Sequence, residues 1–222
     1  MAEINYSKHS GGSSTHIPLN ISLIKYFNIR GVLELGAGFR STHMFADHVE
    51  YLTSIETNKD FIDRVRENLE LKENHKIVHY DMSFDKSVDR FTIPSKVSEE
   101  TKKHSADFAL QNKTPEHTML FVDQICGTRS HTLQKLHHKF DVTTFHDAQH
   151  NSYEYYTFEP SKDYYYFEDK SFNVSTGFVI NKKLDFNLSE FKKIFTEELQ
   201  KFSPQTKENI IFKNLDTQLS MV

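Results

Sequence analysis

One short segment constrains this 222-residue chain more than any other: VLELGAG, residues 32–38. A compact apolar strand runs straight into Gly36-Ala37-Gly38, and a helical pattern with Met44, Phe45 and Val49 inward begins near Ser41. A Gly-x-Gly turn between strand and helix lets the backbone approach a bound nucleotide-type group, because glycine lacks a Cβ and accepts positive φ. Glycine is otherwise scarce: the chain has seven, where average usage of about 7 % would give roughly sixteen. Three of them, Gly31, Gly36 and Gly38, fall within eight residues of one strand. Twenty positions after Gly36 a second strand ends at Glu56, where a dinucleotide-type site wants a carboxylate for ribose hydroxyls.

The rest of the chain continues this alternation. Pro18 opens a short helix carrying Leu19, Ile21, Ile24 and Phe27 ahead of the first strand. After Glu56, Thr57 or Asn58 caps a helix whose apolar face is Phe61, Ile62, Val65 and Leu69. Residues 77–80 form a third strand ending at Asp81, residues 119–122 a fourth ending at Asp123, and residues 142–145 a fifth ending at His146-Asp147. Strand–helix repetition predicts an α/β fold, a Rossmann-like and mostly parallel sheet flanked by helices. Residues 82–117 read as an insertion after strand three, or a substrate-side element, with a helix over about 98–112. The C-terminal part is an aromatic-rich strand and helix region, in which residues 188–202 are strongly amphipathic and residues 210–212 add an edge strand. All 222 residues form one domain, with residues 1–16 a flexible polar lead.

Composition excludes several classes. A single cysteine, Cys126, rules out an internal disulfide framework and any four-cysteine zinc module. No apolar run approaches the roughly 18 residues of a membrane span, and no signal-like apolar core opens the chain, so a cytoplasmic setting without membrane contact is expected. A net charge of −4 argues against bulk binding of nucleic acid through its phosphates.

The motif has Ser41 where a hydride-transfer fingerprint would place its third glycine, and an acid, Glu34, two residues before its first. With these features the sequence resembles the class I S-adenosylmethionine-dependent methyltransferases over about residues 30–147. Their first motif reads acidic-x-Gly-x-Gly and their second is an acid ending strand two; the acids ending strands three and four match as well. The resemblance implies S-adenosyl-L-methionine as cofactor. It implies that Glu34, Gly36, Ala37 and Gly38 form the loop against its methionine part. It also implies that Glu56 holds the ribose, that Asp81 and Met82 flank the adenine, and that Asp123 caps the pocket. Arg40 stands where many members have a further glycine.

Asp123 and His146-Asp147 finish neighbouring strands and should converge beside the glycine loop. Methyl transfer from a sulfonium needs in-line positioning and removal of a proton from an oxygen or nitrogen nucleophile. His146 has a suitable intrinsic pKa for that base, with Asp147 or Asp123 to orient it. The alternative is metal: a subgroup of the family holds a divalent cation with acids at these two strand ends, which makes Asp123 and Asp147 candidate ligands for Mg²⁺.

A small-molecule acceptor is the expected substrate. A nucleic-acid or protein acceptor is the nearest rival, although strand four ends in Asp123-Gln124-Ile125-Cys126 rather than the proline-containing tetrad of amino-directed nucleic-acid enzymes. From other classes, a non-catalytic nucleotide-cofactor-binding protein and a metal-dependent hydrolase remain. Eight Tyr or Phe lie within residues 153–167, and they read first as strand faces packed on helices and second as a wall for a planar substrate.

Overall fold

The computed structural model describes residues 14–89, 92–124, 126–150 and 153–213. Its core is an eight-stranded sheet in the order β3-β2-β1-β4-β5-β7-β6-β8. The first five strands, β1 (Gly31–Leu35), β2 (Tyr51–Glu56), β3 (His75–His79), β4 (Met119–Val122) and β5 (Val142–His146), are parallel. The last three, β6 (Tyr164–Asp169), β7 (Thr176–Asn181) and β8 (Ile210–Phe212), pair antiparallel, with β7 inserted between β5 and β6. Central strands are buried along their whole length, as a sheet covered on both faces requires.

On one face lie α1 (Ile17–Phe27), α2 (Ser41–His48) and α6 (Leu188–Phe202), packed on Val32, Phe121, Val142 and Phe178. Pro18 in its first turn starts α1, and the left-handed Asn28 ends it. Residues 17–24 of this helix are all buried, because it is sandwiched between the sheet and α6. On the other face, α4 (Glu99–Gln111) and α5 (Arg129–Leu136) cover Leu33, Leu35, Leu120 and Phe145. The shorter α3 (Lys59–Glu67) covers the β2–β3 edge through Ile62 and Val65, with Asn58 as its cap.

The expected order of strands and helices is found, and α4 falls within one residue of its predicted span with Ser98 as cap. Its sparse apolar pattern fits its burial through small side chains, Thr101, Ser105, Ala106 and Ala109. The lead segment departs from expectation. Residues 1–13 lie outside the described residues, but Ser14, Thr15 and His16 are buried rather than flexible, tucked over the ends of β4 and β5. No helix among the described residues is long and apolar enough to cross a membrane.

Candidate active site and cofactor cleft

Strand order reverses between β1 and β4, and open α/β sheets bind ligands outside the carboxyl ends of strands at such a switch point. A cleft of about 720 Å³ opens there, within the roughly 300–1,000 Å³ usual for cofactor sites. Of the residues singled out from sequence, Glu56, Asp81, Met82 and Asp123 line it. Glu34, Gly36, Ala37, Gly38, His146 and Asp147 lie outside its lining. Five carboxylates, Glu56, Asp81, Asp85, Asp89 and Asp123, face it against two cations, Lys86 and Arg129. The cleft therefore favours a cationic ligand.

Glu56 is held at the mouth of β2 by backbone donors. One carboxylate oxygen accepts from the N–H of Thr57 at 2.8 Å and of Asn58 at 2.9 Å. Partial burial raises its pKa, which these hydrogen bonds only partly offset. Just beyond the adjoining strand β3, Asp81 accepts from the Ser83 N–H at 2.8 Å, a bond that holds its carboxyl below the usual range.

The glycine loop has a structural role the sequence did not indicate. Gly36 sits at φ +93°, and a Cβ there would come within 2.3 Å of the Asp123 backbone oxygen. The close approach it permits here is to the end of β4, where the Asp123 N–H donates to the Leu35 carbonyl at 2.7 Å. Beneath the loop Glu34 is fully buried and accepts from the hydroxyls of Thr42, at 2.8 Å, and Ser54. Burial pushes its carboxyl up to about 7 despite those donors. The Thr42 hydroxyl also accepts the Gly38 N–H at 2.9 Å, so Glu34, Thr42 and Gly38 form one chain that fixes the loop. Arg40 reaches back to the Ser14 hydroxyl, tying the N-terminal segment to the loop.

Asp123, His146 and Asp147 converge as expected: one ligand-type atom from each lies within 4.8 Å of the others. Between the two acids lies a cation that strand-end positions alone do not reveal. Arg129, at the start of α5, places Nη2 2.7 Å from Asp123 Oδ1 and Nη1 3.1 Å from Asp147 Oδ2. It donates further to the backbone carbonyls of Asp123 and Gln124, and Tyr153 stacks on it with the ring centroid 4.2 Å from Cζ. Burial pushes Asp123 up, yet Arg129 and then His146 outweigh it and hold the carboxyl down at about 2. The Arg129 pKa moves upward, since the neighbouring acids outweigh its burial.

This arrangement does not fit a divalent cation between Asp123 and Asp147. A guanidinium already engages one oxygen of each carboxylate, and a second positive charge beside it would be repelled. His146 Nδ1 lies 3.5 Å from Asp123 Oδ2 and 3.8 Å from Asp147 Oδ2, while Nε2 lies 3.1 Å from the Thr15 hydroxyl. Burial works against the charged imidazole, but the hydrogen bond and charge of Asp123, then the charge of Asp147, outweigh it and raise the pKa. Asp147 adopts φ +59°, which turns its carboxylate back towards Arg129. His150 is exposed and meets the Tyr153 ring edge-on.

No protein-family model and no curated protein matches the chain. Among solved structures it is similar to a protein described as a caffeoyl-CoA O-methyltransferase from Staphylococcus aureus. The identity is 15 % and the TM-score 0.50, over 74 % of this chain and 82 % of that one. It is also similar to an rRNA methylase from Streptococcus thermophilus, at 8 % identity and TM-score 0.48, over 81 % and 99 % of the two chains. A third is the N-methyltransferase NodS from Bradyrhizobium japonicum, at 12 % identity and TM-score 0.46, over 74 % and 92 %. The fold is that of the class I S-adenosylmethionine-dependent methyltransferases.

Proposed function

We propose that the protein is a methyltransferase that binds S-adenosyl-L-methionine in the acidic cleft and methylates an oxygen or nitrogen of a small molecule. The observation that carries this reading is Glu56: a partly buried carboxylate at the end of β2, beside the switch point, lining the same cleft as Asp81 and Met82. A ribose would donate hydrogen bonds from its hydroxyls to Glu56, an adenine would lie against Met82, and Asp123 would close the methionine side above the glycine loop. When bound, the cofactor supplies a methyl group already activated by its sulfonium. The cluster of carboxylates suits that positive charge and suits a polyanionic nucleic acid poorly, which favours a small acceptor.

The protein's own contribution is positioning and proton removal. His146 accepts the acceptor's proton on the Asp123 side, and Asp123 and Asp147 orient its ring and stabilise the imidazolium. Arg129 holds both acids in place and supplies the positive charge that a divalent ion would otherwise bring.

The test is incubation with a metabolite extract and methyl-labelled S-adenosylmethionine, with and without a chelator. Transfer of label to a small molecule, undiminished by chelator, is expected. Label only in added RNA or protein would move the acceptor class. Binding without any transfer would favour a non-catalytic cofactor-binding role. Hydrolysis of a phosphoester with Mn²⁺ and no S-adenosyl binding would replace the reading altogether.

A further inference from the structure

Behind the cleft, the face of the sheet covered by α1 carries polar groups that no part of the proposed chemistry uses. His16 is 1 % exposed and Asn20 0 %, and neither ring nitrogen of His16 nor either amide atom of Asn20 has a hydrogen-bond partner among the described residues. The hydroxyls of Thr144 and Thr176, buried at 0 % and 1 %, are likewise unpartnered.

These groups adjoin one another and His146. The His16 ring meets the His146 ring edge-on with centroids 4.6 Å apart, and Asn20 lies one turn further along the same face of α1. Thr144 precedes His146 by two residues and so shares its face of β5, while Thr176 is the register partner of His146 on β7. Asp169 on β6 is in turn the register partner of Thr176. Three neighbouring strands thus place His146, Thr176 and Asp169 in one lateral row. Asp169 closes it at the 170–175 turn, where it accepts from the N–H and hydroxyl of Ser171 and where Lys170 and Asn173 are exposed.

Six buried polar atoms without partners, at roughly 1–3 kcal/mol each, would cost as much as the net stability of a typical domain, about 5–15 kcal/mol. Apolar neighbours cannot offset that cost. Water can, since a buried water satisfies two to four such groups. His146 also has two separate sides: Nδ1 on the carboxylates of the cleft wall, and Nε2 on Thr15 and the seam behind. A proton taken up at one nitrogen can leave from the other.

We infer that the seam between α1 and the ends of β5 and β7 is an internal hydrated site that carries the acceptor's proton from His146 to Asp169. The inference rests on the proposed methyl transfer. There, the acceptor's O–H or N–H bond breaks and its electron pair forms the new bond to methyl, while the S–CH₃ pair stays on sulfur. His146, neutral with its proton on Nε2, takes the acceptor's proton at Nδ1 and releases the Nε2 proton. Water-mediated transfer of the remaining ring proton from Nδ1 to Nε2 resets the tautomer before the next turnover. Thr15, seam water and Thr176 pass it to the Asp169 carboxylate, which returns it to solvent at the 170–175 turn.

The experiment follows the His146 Nε2 proton in full-length protein labelled with ¹⁵N-histidine, with no cofactor present. In the wild type, exchange with solvent should be fast, and water-to-side-chain Overhauser peaks should appear at His16 and Asn20. In Thr176→Val and Asn20→Leu, exchange should slow at least tenfold while S-adenosylmethionine affinity stays within twofold of wild type. Unchanged exchange in both variants would overturn the relay. Should the variants fail to fold, the wild-type Overhauser peaks decide: their absence means a dry seam and ends the proposal. Failure of methyl transfer would leave both readouts standing, so the two readings fail separately.

Discussion

Arg129 grips Asp123 twice, with Nη2 2.7 Å from the side-chain Oδ1 and 3.2 Å from the backbone carbonyl oxygen. The pair fixes the residue that follows β4, and through the Asp123 backbone it also sets the floor against which Gly36 packs. Charge at the strand ends and geometry of the glycine loop are therefore one structure.

Removing the guanidinium should leave two acids facing each other with only His146 beside them. Arg129→Ala is expected to lose about 3–5 kcal/mol by denaturant unfolding, the usual consequence of breaking a buried pair. Arg129→Lys should recover only part of it, because an ammonium cannot bridge both carboxylates. The same Arg129→Ala protein should show Mg²⁺ binding by calorimetry that the wild type lacks. Mg²⁺ binding by the wild type would contradict the assignment of Arg129 as the resident cation.

Glu34 gives a stability signature with an unusual sign. Its folded pKa, about 7, lies above its ordinary value of 4.5, so the folded state binds the extra proton between those two. Stability should therefore fall as pH rises through that window, by roughly 3 kcal/mol once complete. Glu34→Gln keeps an oxygen for Thr42 and Ser54 and should flatten the decline, leaving the variant the more stable protein at pH 8. Parallel unfolding curves at pH 5 and pH 8 for both proteins would test it, and an unchanged slope in the variant would rule Glu34 out as the source.

His146 should control the rate profile. Asp123 and Asp147 raise its pKa, so as a base it is active above a value higher than 6.5, and methyl transfer should increase with pH through that point. Asp123→Asn removes the largest raising influence and should move the inflection downwards while lowering the maximal rate. A profile flat from pH 5 to 9 would remove His146 from proton transfer.

The backbone at Gly36 admits little else. A methyl group there meets the Asp123 carbonyl at 2.3 Å, and φ +93° strains any L-residue. Gly36→Ala should cost at least about 1–3 kcal/mol of stability. Gly38→Ala, whose Cβ would meet only the movable Ser41 hydroxyl, should cost less than 1 kcal/mol. Equal losses at the two sites would contradict the packing account of Gly36.

The parallel half of the fold was legible because its strands are short, carry apolar residues and meet a glycine or an acid at their end or within two residues of it. Glu56, Asp81, Met82 and Asp123 could be placed at the cleft from their positions at strand ends, which topology alone brings together. Arg129 was not legible: its importance depends on a side chain crossing from α5 to two different strands, and local periodicity carries no trace of that. The same holds for residues 14–16, whose polar composition reads as a flexible lead although their burial comes from long-range contact with β4, β5 and Arg40. Most rings of residues 153–167 are strand or core packing, the first of the two readings their pattern offered, and among the described residues Tyr153 alone of them lines the cleft, stacked on Arg129.

Cofactor binding decides the account most directly. Calorimetric titration of S-adenosylmethionine and S-adenosylhomocysteine into wild type should give one site per chain. Glu56→Ala, with its carboxylate removed from an otherwise intact cleft, should weaken binding at least thirtyfold without loss of fold. No heat of binding with either compound, or equal affinity in wild type and Glu56→Ala, would contradict the assignment of this cleft to the cofactor.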